Sequence, residues 1–238
     1  MKSFLSFIVV CVSFYLSTFP IQAQREVFNG ELYLGAGAGA TFSKVDFVPK
    51  VSTAFKQGIY GGIAAKYISE RHLGLLMELN LVQRGWEEDF DTSSGFSYNR
   101  TLNYIEIPFL MHVYFGEKTK FIFNAGPKIS FLVGDNEVMS QSLSDYMDQQ
   151  RADYPDMKIG MQYQGMSDPK KMEYGLVAGL GMAFKTGIGD FNLEGRYYFG
   201  LGDIFPARSQ QNEDDTAYFS RSAFRMIEVK LTYYVRIF

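Results

Sequence analysis

Cysteine is almost missing from this chain. Of 238 residues only Cys11 is a cysteine. It falls in a segment that reads as a removable leader, so the mature chain is expected to carry no thiol for a disulfide, a nucleophile or a soft metal site. Histidine is nearly as scarce: His72 and His112 are the two in the sequence. Neither has an acidic neighbour at ligand spacing, and both are expected at the end opposite the long loops, so each reads as a structural polar histidine. A His-Ser or Asp-His catalytic pairing at the outer rim is thereby excluded. The net charge of −3 is small, with no basic cluster, which argues against nucleic acid as a partner. Past the leader, no run approaches the ~20 apolar residues of a membrane helix. The sequence therefore predicts no catalytic residue, no cofactor and no metal site.

Residues 1–23 hold one lysine, Lys2, an apolar stretch over 4–19, and the ending Ile21-Gln22-Ala23. That is the layout of a cleaved signal peptide. A membrane anchor fits less well, because the apolar core is short and lacks a basic stop-transfer flank. Lipoprotein processing also fits less well, since Ile8-Val9-Val10 precede Cys11 where small residues are expected. Residues 24–238 then form a single domain.

What is abundant is alternation. The chain is 16% aromatic with 23 glycines, and its mean hydropathy of −0.09 conceals apolar residues spaced two apart. Over 72–86, Leu73, Leu75, Met77, Leu79 and Leu81 fall on one face, and Gly74, Glu78, Asn80 and Arg84 on the other. Ile105, Ile107, Phe109, Met111 and Val113 oppose Glu106, Pro108 and His112 in the same way, and Phe121, Phe123, Ile129 and Phe131 oppose Asn124, Lys128 and Ser130. Leu176, Leu180 and Met182 oppose Glu173 and Gly179; Leu193, Tyr197 and Phe199 oppose Glu194 and Arg196; Ile227, Val229 and Leu231 oppose Glu228, Lys230 and Arg236. Two weaker segments, over 31–42 and 58–68, bring the count to eight.

Short joins at Ser69-Glu70-Arg71, 116–119 and 187–190 alternate with long ones at 43–56, 87–97, 134–171 and 203–220. The pattern predicts an all-β fold: an eight-stranded antiparallel up-and-down transmembrane β-barrel in the outer membrane of a Gram-negative bacterium. A β-sandwich or lipocalin is the structural rival, but it would turn the apolar face inward and charge the outside. Here the charged face, with Glu78, Arg84, Glu106, Lys128, Glu194, Arg196, Glu228, Lys230 and Arg236, is expected to line the lumen. Eight strands leave room only for side chains, so paired charges should fill it. Gly35, Gly37 and Gly39 on one face, and Gly179 and Gly181 on another, should make space for long side chains opposite. The Gly-Ala-Gly-Ala-Gly run follows the strand period with no helix after it, and is not a nucleotide loop.

Three local features are expected as well. Pro108 should cause a bulge or bend, because it cannot donate to the ladder. Trp86, Phe96 and Tyr98 on the loop side, with Tyr67, Tyr114 and Phe115 on the turn side, should form interfacial girdles. A short helix should cover 144–151, ended by Pro155 and Pro169. Glu87-Glu88-Asp89 with Asp91, and Glu213-Asp214-Asp215, are better read as solvated acidic loops than as cation sites, since calcium-loop spacing is missing.

Tyr104-Ile105-Glu106-Ile107-Pro108-Phe109-Leu110 and Asn124-Ala125-Gly126-Pro127-Lys128-Ile129 resemble the "YxEIPxL" and "GP" strands of the PorT-like outer-membrane β-barrel family. Glu78-Leu79 with Gln83-Arg84-Gly85, and Glu194-Gly195-Arg196-Tyr197-Tyr198, extend the resemblance across the mature chain. The namesake takes part in protein secretion across the outer membrane through the type IX system, so the resemblance implies a barrel and admits a secretion role. The apolar register ends through Val235 and Ile237 instead of through Phe238, a departure from the usual barrel-assembly ending.

Three roles follow as expectations: a non-enzymatic barrel whose loops act in surface binding or envelope integrity, an accessory of secretion, or a small-solute channel. The expected partners are outer-membrane lipid and lipopolysaccharide, the barrel-assembly machinery through the strand ending at Phe238, and a secretion-system or surface partner.

Overall fold

Alternation sustained over 12 to 21 residues makes strands with one apolar and one polar face. In hydrocarbon such strands satisfy every backbone group only if the sheet closes on itself. The computed structural model, which describes residues 29–91, 93–154, 168–206 and 219–238, has that closure. Its strands are β1 (Glu31–Val48), the two-residue β2 (Thr53–Ala54), β3 (Lys56–Glu70), β4 (Leu73–Glu88), β5 (Tyr98–Phe115), β6 (Thr119–Met139), β7 (Met172–Thr186), β8 (Gly189–Gly200) and β9 (Arg221–Arg236). Among the described residues one helix, α1 (Gln141–Asp153), stands between β6 and β7.

Each of the eight long strands pairs antiparallel with its chain neighbours, and β1 closes the cylinder on β9 from Tyr33↔Arg236 to Val48↔Arg221. The expected signal peptide over 1–23, with Cys11, lies outside the described residues. No described helix is long and apolar enough to cross a membrane.

The outer face is the aliphatic one. Ile59 and Leu180 are each 70% exposed and Leu81 64%, within a band that includes Leu75, Met77, Phe109, Leu176, Leu193, Val229 and Leu231. So much contiguous exposed apolar surface is tolerated against lipid and not against water.

On the loop side the strands outrun their apolar pattern. β1 reaches Val48, β4 reaches Glu88 and β6 reaches Met139, through stretches expected to be loop. Pairs such as Lys44↔Arg225 and Thr101↔Asn136 continue the ladder there with polar residues at outward parity. Because ~9–11 tilted residues cross the bilayer, the surplus stands clear of it as a polar extension.

Three expectations are corrected. The register does not shift at Pro108: Pro108↔Lys128 and Met111↔Ala125 keep one offset, and toward β4 the pairing skips from Asn80↔Glu106 to Met77↔Phe109 without slipping. The missing donor interrupts the ladder locally, and neighbours on both sides hold the register. The shift on this strand pair falls instead between Asn103↔Gly134 and Tyr104↔Leu132, leaving Val133 as the extra residue. Trp86, Tyr98 and Tyr114 are buried, not interfacial; they share the inward parity of Glu78, Glu106 and His112. Of the expected girdle, Tyr67 and Phe115 do face outward, with Phe121 and Phe184 near them at the turn ends and Tyr174, Tyr197 and Phe199 toward the loops. The helix is longer than expected, beginning where the Ser140 hydroxyl accepts from the Leu143 N–H at 3.4 Å. Pro155 lies outside the described residues.

Glycine is needed where long lumen side chains press on the wall. A Cβ on Gly179 would sit 2.5 Å from Cγ of Arg196, whereas one on Gly61 meets nothing within 4 Å. Gly179→Ala is therefore expected to destabilise the barrel by about 1–3 kcal/mol through overpacking, and Gly61→Ala by less than about 0.5 kcal/mol. Urea unfolding in detergent micelles checks the contrast.

Candidate functional site

The inward face of a small barrel is the one place where this sequence concentrates buried charge, and its strands deliver that charge in two layers. In the first, Glu78 on β4 receives Arg196 of β8 through two nitrogens at 2.8 and 2.9 Å, and the Lys230 ammonium of β9 at 2.8 and 2.9 Å. Arg196 Nε also donates to Glu194 at 2.7 Å. Amides complete the shell: Asn80 donates to Glu78 at 3.0 Å, Asn124 donates to Glu194 at 2.7 Å, and His112 Nδ1 donates to the Asn124 carbonyl oxygen at 2.7 Å. His112 is thus held by an amide.

The second layer lies toward the loops. Lys128 of β6 reaches Glu106 at 2.6 Å and Glu228 at 3.0 Å, while Arg84 reaches Glu106 at 3.2 Å and pairs with Glu173 of β7. Arg84 stacks on Tyr104 at 3.9 Å, and Lys128 lies over Tyr198 at 3.9 Å. Tyr198 donates to Glu173 at 3.1 Å. Every ion in these layers is at most 4% exposed. At that depth, desolvation costs several kcal/mol per ion, and only close, multiply bonded partners offset it.

Above the charges an aromatic lid closes the cylinder. Phe47 packs on Trp86 at 5.4 Å and on Phe219 at 4.4 Å, and Phe205 meets Trp86 at 6.0 Å. Ring packing of this kind adds about 0.5–1.5 kcal/mol per pair beyond burial. Side chains pack the middle of the barrel.

Of the residues expected in the lumen, Glu78, Arg84, Glu106, Lys128, Glu194, Arg196, Glu228 and Lys230 are brought together in these two layers. Arg236 is not: its side chain is 53% exposed and pairs with Glu31 at 2.9 Å on the turn-side rim, because β9 ends there, past the packed interior. Glu173, Lys66, His112 and Asn124 belong to the interior and were outside the expected set. Parity marks all four, since Glu173 shares a face with Gly175 and Gly179, and Lys66 with Tyr60 and Ala64. What parity omits is which partner lies across the lumen.

Lys66 differs from the other buried cations. It is 4% exposed, yet among the described residues no carboxylate lies within ion-pair distance. Its ammonium rests between the rings of Tyr33 at 4.6 Å and Tyr234 at 4.2 Å. Cation–π contact contributes about 2 kcal/mol when desolvated, less than the several kcal/mol of burying the ion.

On the loop side Asp91 accepts from the Ser93 N–H at 3.1 Å and from its hydroxyl at 3.0 Å, which holds the carboxyl below its ordinary range. Glu87 pairs with Lys56 at 3.4 Å. Among the described residues no three His, Cys, Asp or Glu side chains converge as a metal site. Glu213-Asp214-Asp215 lies outside the described residues.

Removing one partner from a buried pair leaves the others uncompensated. Glu78→Gln is expected to cost about 3–5 kcal/mol in urea unfolding, whereas Glu87→Gln, from a half-exposed pair, should cost no more than about 1 kcal/mol. Charge reversal at Glu106 or Glu194 should impair assembly more than reversal at Glu213, read as the yield of folded protein in the outer membrane.

A model of the outer membrane protein beta-barrel domain family matches residues 22–206. No curated protein sequence matches the chain. Among solved structures, OprG from Pseudomonas aeruginosa is similar at 11% identity and TM-score 0.47, covering 86% of this chain and 96% of that one. The attachment invasion locus protein Ail of Yersinia pestis is similar at 9% identity and TM-score 0.41, covering 87% and 100%. The outer membrane enzyme PagL is similar at 10% identity and TM-score 0.33, covering 85% and 98%. A closed eight-stranded cylinder, apolar outside and ionic within, and a family match over most of its length lead to one conclusion: this chain belongs to the outer membrane protein β-barrel domain family and resides in the Gram-negative outer membrane.

Proposed function

We propose that this protein is a non-enzymatic barrel whose working surface is its loop-side end, acting in surface binding or envelope integrity. The observation that carries the reading is the division of labour along the axis. The lumen is filled by ion pairs and an aromatic lid, while the described residues beyond the bilayer, α1 and the β4–β5 loop, form a packed platform. α1 buries Leu143 and Met147, one turn apart, and Tyr146 packs on Phe96 at 5.3 Å. Ser142 donates to the Gly95 carbonyl at 2.7 Å, tying the helix to the β4–β5 loop.

Both histidines support the non-enzymatic reading by position. His112 is locked to Asn124, and His72 in the β3–β4 turn donates to the Tyr114 carbonyl at 2.9 Å, at the end opposite the platform. The partners this reading requires are the surrounding lipid and lipopolysaccharide, and the barrel-assembly machinery acting on the chain end at Phe238, which lies just past β9 and not within the strand as expected. There, the Leu32 N–H donates to the Phe238 carbonyl at 3.0 Å.

A second reading, accessory to secretion as in the PorT-like family, is favoured by the segments Tyr104 to Leu110 and Asn124 to Ile129. It would use the turns or the wall as a docking face. A solute channel fits the ionic filling least.

Two measurements test the proposal together. Protease applied to intact cells should cut within the β6–β7 connection, and the purified protein in a planar bilayer should give no stepwise conductance. Steady conductance would overturn the filled-lumen reading. Exported proteins held back in a deletion strain would favour the secretion role over the surface role.

A further inference from the structure

The outward residues of β1 run from Leu34 to Phe42 and those of β9 from Val235 to Ile227, and each stretch matches the ~9–11 residues that cross the hydrocarbon. The next outward residue on each strand is a cation, Lys44 on β1 and Arg225 on β9, and the two are register partners. With Cα atoms about 5 Å apart, like charges stand side by side at the level of the outer headgroups, which destabilises the pair unless a negative charge offsets it. Asp46 offsets only one of them. Its carboxylate meets Arg225 Nε at 3.0 Å, and the guanidinium also stacks on Phe199 at 3.8 Å and gives Nη1 to the Gly200 and Phe224 carbonyls. Lys44 is left with the Phe55 ring at 5.3 Å and, among the described residues, no carboxylate at ion-pair distance.

Beside this pair β1 outruns its ladder with β3, which ends at Ser43↔Lys56. The gap holds a cavity of about 500 Å³ lined by Lys44, Asp46, Lys50, Ser52 and Thr53 with their neighbours, within the roughly 300–1,000 Å³ of small-molecule sites. Lys50 is exposed and brings a further cation. With Asp46 taken by Arg225, the two lysines set the sign of the cavity.

We propose that this cavity holds a phosphate of outer-leaflet lipopolysaccharide, gripped by Lys44 and Lys50 with Arg225 beside them. Its acyl chains would descend over the smooth strip of Ala36, Ala38, Ala40 and Gly61, between the ridges of Leu81 and Leu231. Charge and depth choose the occupant. Three cations against one carboxylate attract an anion, and the exposed apolar side chains of Phe42, Val48 and Phe55 surround them with surface suited to a lipid and not to a soluble ion. The site depends on the loop-side end facing outward in the cell, as proposed above, and gives the lipopolysaccharide of that reading a place on the wall.

The purified protein in neutral detergent is titrated with lipopolysaccharide, with the same lipid stripped of its phosphates, and with inorganic phosphate. The intact lipid is expected to bind and raise the unfolding midpoint. Stripping the phosphates, or combining Lys44→Gln with Lys50→Gln, should weaken binding at least roughly tenfold, about 1.4 kcal/mol. Both lysines lie outside the packed interior, so the double variant should fold. Asp46→Asn, which removes the opposing carboxylate, should strengthen binding, and Lys185→Gln on the turn side should leave it unchanged. Equal affinity for intact and stripped lipid, unaltered affinity in the double variant, or an equal response to inorganic phosphate would overturn the proposal. Binding is read on purified protein, so protease failing to reach the β6–β7 connection on cells would fault the orientation and not the phosphate site.

Discussion

The pairing of β1 with β9 is the constraint on which the rest of this structure depends. In the hydrocarbon layer no water can satisfy an open strand edge, and each unpaired amide would cost several kcal/mol. The sixteen register partners between Tyr33↔Arg236 and Val48↔Arg221 remove both edges at once. Closure also fixes the lumen's width. With eight long strands the interior accepts side chains and little else, so the charges on the inward face are forced together whether or not they suit one another.

They suit one another because the register is staggered around the cylinder. Glu78 on β4 meets Arg196 on β8 and Lys230 on β9, across the barrel and more than a hundred residues away in sequence. The ionic filling then acts on the wall in return. Gly179 carries no side chain because Arg196 lies where its Cβ would be, and the wall near β1 is thin because Tyr234 presses on Gly35. Charge inside and small residues in the wall are two sides of one packing solution.

Much of this was legible before the structure. Strand count, the alternation of short and long joins, the lipid face and eight of the nine expected lumen ions follow from a period of two, which any strand must obey. The misreadings share a cause. Trp86, Tyr98 and Tyr114 were assigned to the interfaces by residue type, although their parity already pointed inward; burial in the lumen, for Trp86 and Tyr98 at the loop-side lid and for Tyr114 at the turn-side end, outweighed the general preference of such rings for headgroups. The bulge expected at Pro108 did not form, because one lost hydrogen bond is small against a register held by long ladders on both sides. The polar ends of β1, β4 and β6 escaped notice because, outside the membrane, nothing requires their outer face to be apolar.

The sequence by itself determined that this chain would form strands, which face of each would meet lipid, and that charge would be enclosed, because side-chain alternation is a local property of extended backbone. Only the tertiary structure decided which cation meets which carboxylate, that Arg236 falls outside the packed interior, and that Lys66 alone among the buried lumen cations of the described residues rests on tyrosine rings without an ion pair. Those outcomes depend on the stagger between strands distant in sequence, and stagger is set by closure of the whole cylinder and not by any segment of it.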